Sequence, residues 1–182
     1  MNEKLNIGII IGSTRTGRVS TQVGAWILGF AEKRNDAHYE IVDIKDYRLP
    51  LLGESEETKG ISAWQEKLAS LDAFIFVTGE YNHSIPASLK NALDLAREPW
   101  NHKSAGIVSY GSVGGARAAE HLRGILGELM IADVRTHVAL SMFTDFEDWS
   151  VFKPQSLHTQ NLNTLLDQVN LWGNALKSVR IK

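Results

Sequence analysis

Short apolar runs alternate with longer amphipathic stretches along the chain. Leu5–Gly12 is nearly continuous in apolar residues and ends in glycine, the pattern of a strand covered on both faces of a parallel sheet. Tyr39–Ile44, Ala73–Thr78, Ala105–Tyr110 and about Val134–Leu140 read the same way, which predicts five strands. Between them the apolar positions change to helical spacing. Val19, Val23, Trp26, Ile27 and Phe30 form one stripe, and Ile61, Trp64, Leu68 and Leu71 a second. Leu89, Ala92, Leu93 and Ala96 form a third, opened by Pro86, whose fixed φ and missing N–H suit a first helical turn. Ala116 to Leu126 and Leu162 to Leu176 carry the last two.

Right-handed crossovers between parallel strands place such helices on both faces of one sheet. Five βα units predict an α/β, flavodoxin-like three-layer sandwich with a five-stranded parallel sheet of order 2-1-3-4-5. A Rossmann domain or an eightfold barrel fits less well. In that order a ligand sits beyond the carboxyl ends of strands one, three and four, where the winding reverses. The segments to inspect are therefore Ser13–Ser20, Gly79–Ile85 and Gly111–Gly115.

Length and composition narrow the chemistry. The chain's 182 residues are expected to form one domain, 1–182, with 43% apolar and 22% charged residues, near globular averages. Nineteen basic against 21 acidic residues leave a net charge of -2, with no electrostatic footprint for nucleic acid. With no cysteine there is no disulfide, thiol nucleophile or iron–sulfur centre. The histidines at 38, 83, 102, 121, 137 and 158 have no paired ligand spacing, so no metal is expected. The opening apolar run is too short to span a membrane and lacks a cleavage region, so a cytoplasmic location away from membranes is expected.

The first loop, Gly12 to Ser20, joins a buried strand directly to a helix, so amides and hydroxyls converge on the positive helix end. Arg15 and Arg18 sit there too, although cations at that end are unfavourable by about 0.3–1 kcal/mol each when exposed. An anion in the loop reverses the sign. The loop ends in neither GKS nor GKT and does not read G-x-G-x-x-G, so one terminal phosphate is the economical occupant. The second loop, Thr78 to Pro86, offers an aromatic, Tyr81, and backbone amides for the edge of a planar ring. There Glu80 is either solvated or a tie between loops or subunits, and His83 and Ser84 read as a turn and helix cap. The third loop, Tyr110 to Ala116, has three glycines, which permit close backbone approach to a ligand. Leu93–Trp100, with Arg97, reads equally as a subunit interface or as core packing.

GSTRTGRVS at Gly12–Ser20, GEYNHSIPASLKNALD at Gly79–Asp94 and SYGSVGGARAAEHLR at Ser109–Arg123 resemble the NADPH-dependent FMN reductase family, with its chromate, quinone and azo-dye reductases. The resemblance runs from about Leu5 to Leu140. It implies that Ser13, Arg15, Arg18, Val19 and Ser20 hold the phosphate of FMN. It also implies that Glu80, Tyr81 and Asn82 border the isoalloxazine ring and that Tyr110, Gly111, Ser112 and Gly115 close its pyrimidine side. The implied activity is hydride transfer from NADPH or NADH to FMN and on to a small acceptor (quinone, azo compound, flavin or metal oxyanion) in ping-pong order. No catalytic side chain is implied, and the implied assembly is a homodimer or homotetramer. A flavodoxin-style electron carrier, an FMN-dependent redox sensor and a binder of another nucleotide are the alternatives. One residue departs from the family pattern: Gly79 stands where proline usually precedes Glu-Tyr-Asn.

Overall fold

The computed structural model describes residues 3–54 and 59–180. Five parallel strands, β1 (Asn6–Ile11), β2 (His38–Asp43), β3 (Ala73–Gly79), β4 (Lys103–Gly111) and β5 (Ile131–Ser141), lie in the order β2-β1-β3-β4-β5. This is the expected flavodoxin-type order, and its strands lie within about three residues of the predicted ones. The helices are α1 (Ser20–Ala31), α2 (Lys59–Ala69), α3 (Ala87–Asp94), α4 (Ala116–Glu128) and α5 (Leu157–Arg180).

Alternation along the central strands sorts side chains into two cores. Ile9, Ile11, Ile75 and Val77 face the α1 and α5 side with Val23, Ile27, Leu162 and Leu166. Ile10, Phe74, Phe76 and Ile107 face the other side with Trp64, Leu89, Leu93 and Leu122. Every residue of β3 and β4 is buried, which is why neither strand alternates apolar with polar; their buried polar side chains, Thr78, Lys103, Ser104 and Ser109, each hydrogen-bond to a backbone carbonyl. Trp64, Trp100, Phe74 and Phe76 form one aromatic knot, with 4.9 Å between the Phe74 and Trp100 ring centroids. Burying each phenylalanine there contributes about 1.5–3 kcal/mol.

That knot bears on the two readings of Leu93–Trp100. Leu93, Leu95, Ala96 and Trp100 are all buried in the chain's own core, and the Trp100 indole donates to the Leu93 carbonyl at 3.2 Å. Its larger apolar side chains pack within the chain, as the core-packing reading expects, while Asp94, Arg97 and Glu98 stay exposed.

Between β5 and α5 the chain forms a hairpin, β6 (Phe146–Glu147) and β7 (Val151–Phe152), that the strand pattern did not predict. Its turn is turned left-handed at Asp148 (φ 47°) and Trp149 (φ 58°). Gln22 of α1 grips it from both sides, donating to the Ser150 carbonyl at 2.8 Å and accepting from the Phe152 amide at 2.9 Å. Asp145, 1% exposed, fixes its base by accepting from the amides of Ser141 and Gln155 and facing the His158 ring nitrogen at 3.0 Å.

Candidate functional site

The three inspected loops meet at the carboxyl edge of the sheet. The first leaves β1 at Gly12, whose amide bonds the Val77 carbonyl of β3 at 3.0 Å. It enters α1 at Val19 and Ser20 with no side chain capping the helix amides and no acidic residue in the first turn. The positive end of α1 is thus left open to a ligand. Ser13 is buried, and its hydroxyl lies 3.0 Å from that of Tyr81, which ties the first loop to the second.

The second loop is a tight reversal. Tyr81 and Ser84 exchange backbone hydrogen bonds of 2.9 and 3.1 Å, with Asn82 (φ 49°) and His83 (φ 68°) both left-handed between them. Two consecutive left-handed residues make a type I′ turn, a conformation asparagine tolerates well. The reversal stands Tyr81 up against the first loop, where the Arg15 guanidinium lies 5.8 Å from its ring centroid. His83 and Ser84 belong to this turn as expected, but neither caps a helix: α3 starts behind Pro86 with no side-chain cap, and the Ser84 hydroxyl instead pairs with the His121 ring at 3.0 Å.

Glu80 ties the loops together. Its carboxylate accepts from the Arg117 and Ala118 amides at 3.1 and 3.4 Å, capping α4, and pairs with the Arg117 guanidinium. Burial opposes the charged form, but the Arg117 and amide bonds outweigh it and hold the carboxyl below its usual value. The third loop turns at Gly114 (φ 70°) and Gly115 (φ 72°). A Cβ on Gly115 would stand 2.8 Å from that of Ser109, so both φ and space require glycine.

Arg18 differs from expectation. Its guanidinium makes two bonds to the Asp43 carboxylate at the end of β2 and one, of 2.6 Å, to the Ser13 carbonyl. The anion that offsets this cation is therefore Asp43, from within the chain, and Arg18 acts by bracing the first loop. Asp43 lies 25 residues away in sequence, and no local signal pairs the two. Arg15, by contrast, makes no ion pair among the described residues and lines the cavity between the loops.

That cavity, of about 150 Å³, is bounded by Arg15, Val19, Glu80, Tyr81, Tyr110, Gly111, Ser112, Met142 and Trp149. Asn82 is exposed beside it on the reversal, and Gly115 sits behind its floor. Met142 and Trp149 carry no motif. The only trace of them in sequence is the aromatic-rich stretch after the fifth strand. Two buried hydroxyls at this site, Ser20 Oγ on a fully buried residue and Tyr110 Oη on one 5% exposed, make no hydrogen bond of normal geometry, although the two lie near enough to interact with each other and Tyr110 with Tyr81. Buried polar groups are normally paired, and leaving one unpaired costs about 1–3 kcal/mol. Burial, with Tyr81 close by, also raises the Tyr110 phenol well above its usual range, so it remains a donor. An uncapped helix end, an arginine without an ion pair among the described residues and two buried hydroxyls lacking a hydrogen bond of normal geometry fit the phosphate and polar edge of FMN. A larger groove of about 770 Å³ lies between α3 and α4, but it has no such hydroxyls. Among the described residues, no helix is long and apolar enough to cross a membrane, and no acidic or histidine cluster could hold a metal.

Fold and cavity define the class: a flavodoxin-type α/β protein with a phosphate-ready loop and an aromatic wall at the winding reversal. The model of the NADPH-dependent FMN reductase family matches residues 5–145, and the chain belongs to that family. It is 35% identical over 169 residues to an NAD(P)H-dependent FMN reductase of Schizosaccharomyces pombe, covering 86% of this chain and 83% of that one. A quinone reductase of Escherichia coli is 34% identical over 134 residues, with 69% and 71% covered. Among solved structures, the flavoenzyme NAD(P)H:(acceptor) oxidoreductase FerB of Paracoccus denitrificans superposes with a TM-score of 0.75. At 18% identity, over 91% and 97% of the two chains, it supports the fold.

Proposed function

We propose that the protein is an FMN-dependent NAD(P)H oxidoreductase that reduces a small acceptor, a quinone or flavin by the chemistry of its relatives. The observation that carries this reading is the uncapped end of α1 beside Arg15, which has no ion pair among the described residues, with the buried Ser20 and Tyr110 hydroxyls lacking a hydrogen bond of normal geometry next to them. When bound, FMN supplies the two-electron chemistry, taking hydride from the nicotinamide and delivering it to the acceptor.

The chain's own residues bind, orient and polarise. Arg15, Ser20 and the first amides of α1 hold the phosphate, with Ser13 and Arg18 keeping the loop in shape. Tyr81 would supply a flat wall for the ring, and the backbone at Asn82 and in the Gly111–Gly115 turn would border its polar edge. Glu80 is committed to Arg117 and α4, so it moves no proton, and no side chain is assigned as acid or base. Reductant and acceptor use one open face in turn, which gives parallel lines in double-reciprocal plots. The reading extends to a homodimer or homotetramer, which sedimentation tests.

Anaerobic mixing of the FMN-loaded protein with NADPH or NADH is the direct test. Loss of the oxidised flavin band, restored by a quinone, is expected. A band that persists would leave the electron-carrier reading in its place.

A further inference from the structure

A second cavity, of about 350 Å³, backs onto the other side of the first loop. Thr14 lines it, whereas the next residue, Arg15, lines the cavity assigned to FMN. Its walls are Ile44, Leu49, Leu51 and Ala87, and its polar edge carries Thr14, Ser88, Lys45 and Arg48. The volume lies within the range of small-ligand sites, about 300–1,000 Å³, and the make-up of apolar walls with few polar groups is typical of them.

We infer that this cavity receives the adenosine end of NADPH, with Lys45 and Arg48 holding the 2′-phosphate. The inference rests on the reductase reading above. Neither cation has a carboxylate partner among the described residues. Asp43, the acid nearest in sequence to Lys45 on the strand side, is spent on Arg18, and Asp46 forms no ion pair among the described residues. Most other arginines that border the sheet are paired: Arg34 with Asp36 and Asp167, Arg117 with Glu80, Arg123 with Asp133, Arg180 with Asp72.

The wall is held in advance. Asn91 of α3 donates to the Pro50 carbonyl at 2.8 Å and accepts from the Leu52 amide at 2.9 Å, fixing the segment that carries Leu51. Arg48 is itself left-handed, at φ 48°, where the short 3-10 turn Ile44–Tyr47 ends. Such a conformation costs a non-glycine residue stability and persists where surrounding structure fixes it. Ala87 and Ser88 open α3, and the positive end of that helix adds to the field at the same place. A phosphomonoester on the ribose meets two cations here; the hydroxyl that NADH carries at that position does not. The site therefore discriminates between the two dinucleotides.

Titration calorimetry with adenosine 2′,5′-bisphosphate, and with adenosine 5′-monophosphate as the control, reads the site without any turnover. Arg48→Gly is the variant of choice, because glycine accepts the left-handed backbone and the fold is not at risk. Binding of the bisphosphate is expected to weaken about tenfold in Arg48→Gly and further in the double variant with Lys45→Ala, with the monophosphate little changed. In steady state the KM for NADPH rises by the same factor, and that for NADH moves less than about twofold. Equal losses for both dinucleotides, unchanged bisphosphate binding, or no binding to the wild type each overturn the assignment. Failure of the FMN-loaded wild type to oxidise either dinucleotide would instead overturn the reductase reading, which the calorimetry does not depend on.

Discussion

At the scale of single residues, Arg15 and Gly79 carry the sharpest expectations. Arg15→Ala removes a first-loop guanidinium that no carboxylate engages among the described residues. It is expected to weaken FMN binding by about 1.5–3 kcal/mol with an unchanged circular dichroism spectrum. Unchanged affinity in a flavin fluorescence titration would move the phosphate elsewhere. A Cβ on Gly79 would stand 2.9 Å from the Tyr110 ring and hydroxyl. Gly79→Ala therefore pushes Tyr110 off its seat, with an expected cost of about 1–3 kcal/mol in denaturant unfolding and weaker FMN retention. The departure from the family's proline is matched by the ring that lies against it. Sequence motifs placed Arg15, Ser20, Tyr81 and Tyr110 at one rim because βα loops of a doubly wound sheet open on one side. They could not assign Arg18, because its partner Asp43 is brought to it only by β2 lying beside β1.

At the scale of elements, the β6–β7 hairpin is the part of the site that pattern reading missed. Two-residue strands are too short to give an alternation, and their place is set by Gln22 and Asp145 from other segments. Trp149 is held left-handed, 57% exposed, at the cavity edge, with its ring 5.0 Å from that of Phe143. Trp149→Gly should leave thermal stability of the apoprotein nearly unchanged, since backbone relief offsets the lost ring contact. It should also speed FMN release, read by dilution of the loaded protein. A large fall in apoprotein stability would make Trp149 a packing residue instead.

At the scale of the whole molecule, the rim is sensitive to acid. His137 of β5 lies 2.6 Å from Ser109 Oγ, which in turn donates to the Gly114 carbonyl of the third loop at 2.5 Å. Burial, reinforced by Arg123 and opposed by Glu120, lowers this histidine from 6.5 to about 4. Between those values the unfolded chain binds the extra proton, so stability falls as pH drops through that window, by at most about 1.4 kcal/mol per unit. Glu80 has the depressed carboxylate pattern: its stabilisation is present above the ordinary value of 4.5 and is lost as pH falls below it. Melting temperature should therefore be level between about pH 6.5 and 8, where the buried Lys103 with its pKa lowered to about 8 is still charged, decline from about pH 6.5 downward and fall more steeply below about 4.5. His137→Asn should flatten the upper limb and leave the lower one, which differential scanning calorimetry across pH resolves.

The order of strands, the two-sided burial of β3 and β4 and the position of three ligand loops were legible in the sequence, because strand length, apolar continuity and glycine placement are local properties. The family followed from the same loops. Tertiary structure decided what depends on residues far apart: that Arg18 answers Asp43, that Glu80 caps α4, that the larger apolar side chains of Leu93–Trp100 are core, and that Trp149 closes the cavity. It also singled out Ser20 and Tyr110 as buried neighbours whose hydroxyls lack a hydrogen bond of normal geometry. A motif names the residue types around a ligand, but whether each is free to meet it depends on which neighbours the fold has already given it.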